Sequence, residues 1–213
     1  MGRKIDAYFP DEGPLRRALY VKHLEFFDAG RTHRERLFMA GNRVGKSDTG
    51  LYEDVLHLTG DYPSWWTGRR FECPVDLWLA GDTNLTVRDI LQHKLLGKWG
   101  EFGSGLLPRE RFITHTTKRG VADSVDTAFV RHVSGGVSNC SFKSYAEGRK
   151  NFQGTAKHVV HFDEEPPSDV YYEALLRTMI VPGCEQGGIA LVTFTPIEGW
   201  SEIIESFLGA DAA

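Results

Sequence analysis

Apolar positions along this chain alternate between helix-like and strand-like spacing. Leu15, Ala18, Leu19, Leu24, Phe26 and Phe27 recur at helical intervals, and Gly30 stands where a helix over 15–29 would close. The short apolar run Leu37–Phe38–Met39 then reads as a strand, followed by a helix over roughly 46–58. Asp61–Gly68, rich in turn formers and aromatics, reads as a loop, and Val75–Asp82 as a buried strand. Thr86 is the expected cap of a helix Val87–Leu96, whose apolar positions are Val87, Ile90, Leu91 and Leu95.

The middle of the chain changes character. Ile113, Thr127–Val133 and Cys140–Tyr145 are β-like and separated by Gly120 and Gly135–Gly136, which predicts a hairpin or meander. Lys157–Asp163 reads as a strand, 168–179 as a helix, Ile189–Phe194 as a strand and Trp200–Leu208 as a closing helix. Strands alternating with helices predict an α/β fold, a mostly parallel central sheet covered on both faces.

With 213 residues the chain is long enough for one large domain with a sizeable core. A net charge of −4 gives no global basic signature of nucleic-acid binding. Cys73, Cys140 and Cys184 are widely spaced and lack a C-x-x-C, which fits a reducing compartment and argues against a disulfide scaffold or a zinc site. No apolar run approaches the ~20 residues of a membrane span, and the expected location is cytosolic, without membrane association.

The candidate chemistry begins where the first strand meets its helix. Ala40-Gly41-Asn42-Arg43-Val44-Gly45-Lys46-Ser47 is an A-x-x-x-x-G-K-S phosphate-binding loop. Its backbone N–H groups can cradle phosphates, Lys46 can reach the β/γ-phosphates, and the Ser47 hydroxyl can ligate Mg²⁺. The helix that follows adds the positive end of its dipole.

A second element is His158–Glu165, an apolar strand delivering Asp163 and Glu164 at its C-terminal end, where a doubly wound sheet keeps its ligand crevice. Asp163 suits a Mg²⁺ shell, and Glu164 suits polarisation of water for in-line attack on a γ-phosphate. A third is Ala190–Pro196, a buried strand ending in hydroxyl residues. Thr193 or Thr195 could there sense a γ-phosphate.

Together these elements resemble the ATPase domain of the large terminase subunit, the DNA-packaging motor of tailed bacteriophages. The resemblance rests on Met39–Ser47, on His161-Phe-Asp-Glu-Glu-Pro166 and on Thr193-Phe-Thr-Pro196 in the place of the coupling motif. It draws also on Tyr20–Phe27, Tyr62–Trp66 and Trp78–Thr83, and spans about residues 18–207. It implies an ASCE-type (RecA-like) P-loop fold, with ATP and Mg²⁺ as cofactors. Lys46 and Ser47 would bind phosphate and metal, Asp163 would be the Walker B metal ligand, Glu164 the catalytic base, and Thr195 with Thr193 the coupling residues.

The implied partners are double-stranded DNA, gripped non-specifically and weakly by a monomer, the portal protein and the small terminase subunit. The implied assembly is a homo-oligomeric ring on the capsid in the host cytoplasm, with the isolated chain a monomer. The pattern departs from the family in three places. His23 stands where relatives often carry an adenine-reading glutamine, and Asn42 where many carry a loop arginine, with Arg43 one residue later. The C-terminal nuclease domain of the family has no counterpart here, so residues 1–213 read as one motor domain.

An arginine finger, a term of about 10³–10⁵ in rate, has candidates in Arg43, Arg149 and Arg177. Lys94–Lys98 and Arg109, Lys118 and Arg119 are candidate DNA-gripping positions. Two other readings stay open: a helicase-like translocase of related architecture, and a nucleotide-gated binding module with little turnover, against which Glu164 argues.

Overall fold

The computed structural model describes residues 2–197 and 199–209. Seven strands form one sheet: β1 Glu35–Met39, β2 Asp76–Gly81, β3 Phe112–Thr117, β4 Val125–Arg131, β5 Val137–Ser144, β6 Val159–Asp163 and β7 Ile189–Phe194. Their spatial order is β1-β7-β6-β2-β5-β4-β3. The run β1-β7-β6-β2-β5 is parallel throughout, and β4 is antiparallel to both its neighbours.

Helices α1 Val21–Ala29, α2 Lys46–Thr59, α3 Asn84–Thr86, α4 His93–Leu96, α5 Ser168–Met179 and α6 Glu202–Leu208 complete the regular structure. A π-helical stretch, Val87–Gln92, joins α3 to α4.

The central strands are buried on both faces, as parallel strands must be. In β7, Ile189 and Leu191 join the core beneath α2, while Ala190, Val192 and Phe194 join the one beneath α5 and α6. The first core gathers Leu51, Val55 and Leu58 of α2 with Phe27, Trp66 and Leu91; the second gathers Val170, Tyr171 and Ala174 with Ile203 and Ile204. No helix among the described residues is long and apolar enough to cross a membrane.

Three local features differ from the sequence reading. The first helix starts at Val21 rather than near 15, because Arg17–Leu19 forms a separate 3-10 turn and Tyr20 (φ −107°, ψ 46°) leaves the helical region. The predicted meander is a continuation of the main sheet: Cys140 and Phe142 of β5 reach the α2-side core, and β5 pairs with β2.

The helical stretch capped in the sequence reading by Thr86 begins one turn earlier. Thr83 is its cap, accepting from the Thr86 N–H at 3.1 Å, while the Thr86 hydroxyl accepts from the Thr83 N–H at 2.9 Å. This reciprocal pair satisfies two otherwise orphaned donors. Thr83→Ala is therefore expected to cost about 1 kcal/mol of stability, read as a lower urea midpoint with an unchanged slope.

Candidate functional site

The C-terminal ends of β1, β6 and β7 bring the three sequence elements to one edge of the sheet. β7 lies between β1, which leads into the phosphate loop, and β6, which ends in Asp163. This is the additional-strand arrangement that the resemblance implied.

The loop is shaped by two left-handed residues, Arg43 (φ 63°) and Gly45 (φ 82°). Gly45 adopts that conformation without steric cost, and Arg43 carries a strain of order 1–2 kcal/mol. Ala40 is tied to β7 through its N–H and the Phe194 carbonyl, while Gly41, Asn42, Arg43 and Val44 are exposed. α2 starts at Lys46 directly after the loop, so its free N–H groups face the same space. Lys46 is 7% exposed and its Nζ donates to the Gly41 carbonyl at 2.8 Å, folded back across the loop's mouth. The Ser47 hydroxyl has no hydrogen-bond partner among the described residues.

His23 supports the loop from behind. A carbonyl can only accept, so its Nε2 donates to the Val44 carbonyl at 3.0 Å. Burial pushes the ring's pKa down and favours the neutral form. The ring stands edge-on to Tyr20 and Phe38. Beside it opens a pocket of about 370 Å³ walled by Tyr8, Phe9, Leu15, Tyr20 and the loop. Tyr8 and Phe9 belong to no periodic element of the sequence, so pattern does not flag their aromatic contribution.

Across the crevice Asp163 is 6% exposed, and only its Oδ1 is hydrogen-bonded among the described residues, accepting from the Thr193 hydroxyl at 2.9 Å. Glu164 turns the chain in the left-handed region (φ 63°). Its N–H donates to the Thr193 carbonyl at 2.9 Å, and its own carbonyl accepts from the Tyr145 hydroxyl at 3.1 Å. That hydroxyl also faces the Asp163 carbonyl at 3.1 Å and the Ala80 carbonyl at 3.3 Å. Tyr145 thus holds the strained turn from beneath, a contribution of an ordinary-looking strand end that sequence pattern alone does not flag. Burial raises the Glu164 pKa, the charge of Asp163 raises it further, and Lys46 partly offsets both. A carboxyl whose pKa is raised is a stronger proton acceptor than an ordinary one, as a general base requires.

Thr193 in β7 and Thr195 just past its end do different things. Thr193 is buried against Asp163, whereas the Thr195 hydroxyl crosses to the loop and donates to Asn42 Oδ1 at 3.0 Å. Arg149 and Arg177 both pair with Glu173 of α5, at 2.7 Å and 3.0 Å, so in this conformation both are committed away from the loop. Arg43 stays on the loop itself. Among the DNA-gripping candidates, Lys94 pairs with Asp48 and Lys118 with Glu147.

Residues 37–211 match the family model described as the N-terminal part of the T4likevirus-type terminase large subunit. The chain is 40% identical over 211 residues to the large terminase subunit of Salmonella phage P22, a match covering 90% of this chain and 41% of that protein. It therefore spans about two fifths of the curated relative's length. Among solved structures, the large terminase ATPase domain of Thermus phage P74-26 is similar at a TM-score of 0.56 and 18% identity, over 87% of this chain and 68% of that one. The large terminase of the thermophilic bacteriophage D6E is similar at 0.51 and 13% identity, over 81% of this chain and 38% of that one. At such identities the likeness is one of fold.

Proposed function

The chain belongs to the terminase large-subunit family, and on that premise we propose that it binds and hydrolyses ATP with Mg²⁺ to drive double-stranded viral DNA into a capsid. The observation that carries this reading is the meeting of the Lys46–Ser47 loop with Asp163–Glu164 at one sheet edge, close enough for Lys46 to bias the Glu164 carboxyl.

The donors fit a magnesium ion. No group of three or more His, Cys, Asp and Glu suited to a metal exists among the described residues, and Mg²⁺ characteristically takes one or two protein oxygens plus waters and phosphates. The Ser47 hydroxyl and the second oxygen of Asp163 are the oxygens on offer. When bound, the ion would offset negative charge on the phosphates.

The chain's own residues do the rest. Ala40 through Ser47 wrap the phosphates with backbone N–H groups, and Lys46 leaves the Gly41 carbonyl to meet them. Glu164 accepts the proton of the attacking water. The pocket beside His23 takes the base, with His23 bracing the loop rather than presenting glutamine's paired contacts. Thr195, through Asn42, passes changes in the loop to β7 and α6. Residues 1–213 act as one motor domain. Its proposed partners are DNA, the portal protein, the small terminase subunit and further copies in a ring, working in the host cytoplasm.

Arg149 and Arg177 share Glu173, so the reading expects a neighbouring subunit to complete the arginine set around Arg43. Steady-state ATP hydrolysis per molecule should then rise with protein concentration. A measurable but concentration-independent rate would assign the finger to Arg43 in the same chain. No hydrolysis at any concentration would remove the motor reading.

A further inference from the structure

Beneath Asp163 lies a row of buried polar groups that the proposed reaction does not use. Asp54 of α2 and His161 of β6 are fully buried, and Thr193 of β7 is 1% exposed. Asp54 Oδ2 lies 2.5 Å from His161 Nδ1, and His161 Nε2 lies 3.0 Å from the Thr193 hydroxyl, which is 2.9 Å from Asp163 Oδ1. The line runs from the helix that begins with Lys46 and Ser47 to the carboxylate across the crevice.

Hydrogen accounting sets its direction. Thr193 has one hydroxyl hydrogen, and an ionised Asp163 can only accept it. Were His161 Nε2 unprotonated, it would draw that hydrogen to itself and leave Asp163 Oδ1 facing a lone pair. Nε2 must therefore donate to Thr193, with the remaining proton of the pair lying on the short Asp54–Nδ1 line. The hydroxyl also has a rival acceptor, the Phe162 carbonyl at 3.5 Å. Occupying the threonine's lone pair from the histidine side keeps its hydrogen on Asp163.

The sequence makes room for this arrangement. Gly50 sits inside α2, where glycine is unfavourable relative to alanine. A Cβ there would fall 2.3 Å from His161 Cε1 and 2.4 Å from Nε2. The glycine is the notch into which the imidazole fits.

We propose that His161, seated on Gly50 and held by Asp54, is a positioning residue that orients the Thr193 hydroxyl onto Asp163 Oδ1 and so fixes which carboxylate oxygen faces the cation. The inference rests on reading Asp163 as the carboxylate of a Mg²⁺–nucleotide site. Residues at this remove from a metal typically govern 10- to 100-fold in its affinity.

The test uses the whole chain and a fluorescent ATP analogue, with binding measured in EDTA and across a Mg²⁺ titration. Thr193→Val, nearly the same shape without the hydroxyl, should raise the Mg²⁺ midpoint about tenfold or more. Thr193→Ser should restore the midpoint. His161→Leu should raise it similarly, and adding His161→Leu to Thr193→Val should raise it no further, since the ring acts through the threonine.

Imidazole ¹⁵N spectra of the nucleotide-free wild type give a readout independent of any variant's folding, and Nε2 should appear protonated. An unprotonated Nε2, or an unchanged midpoint in folded Thr193→Val, overturns the relay while leaving the site intact. Wild-type binding indifferent to Mg²⁺ overturns the reading of Asp163 and the relay with it.

Discussion

Glu164→Gln should bind ATP as the wild type does and turn it over about 10²–10⁴-fold more slowly, the usual worth of a positioned general base. The substitution leaves the phosphate loop, Lys46, Ser47 and Asp163 untouched, so the contacts that hold the nucleotide survive. The backbone turn should survive too, because the Glu164 N–H and carbonyl are held by the Thr193 carbonyl and the Tyr145 hydroxyl, and glutamine keeps an oxygen for the Thr195 N–H. What is lost is a proton acceptor that burial and Asp163 have raised above the usual glutamate range. Parallel measurement of binding by calorimetry and of phosphate release separates the two effects. Full turnover in the variant would move the base to another residue, and lost binding would make Glu164 a structural residue.

The parts of this site that could be read in advance are those whose chemistry is local. The loop residues 40–47 and the pair Asp163–Glu164 announce themselves by spacing and by the apolar runs before them. β7 is legible to its end residues, since Ile189–Phe194 is apolar except for Thr193, follows Gly188 and is closed by Thr195-Pro196. The parts that could not be read depend on contacts between distant segments. Thr193 and Thr195 look equivalent in sequence, yet Thr193 lies inside β7 opposite Asp163, whereas Thr195 lies just past the strand's end and meets Asn42 of the loop. His161 looks like one residue of a motif until the packing of α2 on β6 places Gly50 and Asp54 against its ring. Arg149 and Arg177 are finger candidates in sequence, and only the fold shows that Glu173 holds both. Thr86 reads as a cap because the helical apolar spacing begins at Val87, whereas the reciprocal bond with Thr83 decides where the helix starts.

Lys46→Ala should do what Glu164→Gln does not and weaken ATP binding itself. The Lys46 ammonium is nearly buried and spends one donor on the Gly41 carbonyl. Exchanging that neutral acceptor for a phosphate oxygen replaces a hydrogen bond with one charged partner by one with two, at no cost in side-chain ordering. Contacts of this kind contribute about 1.5–3 kcal/mol, so affinity should fall roughly 10- to 100-fold. The same charge offsets negative charge growing on the transferring phosphoryl group, so turnover at saturating ATP should fall by a further 10²–10³. Alanine leaves Gly41 with an unpaired but exposed carbonyl, and the left-handed Gly45 keeps the entry to α2, so the fold should hold. Calorimetric titration with ATP alongside a thermal melt reads both quantities. Unaltered affinity in a folded variant would mean that the loop's shape has been mistaken for a phosphate site.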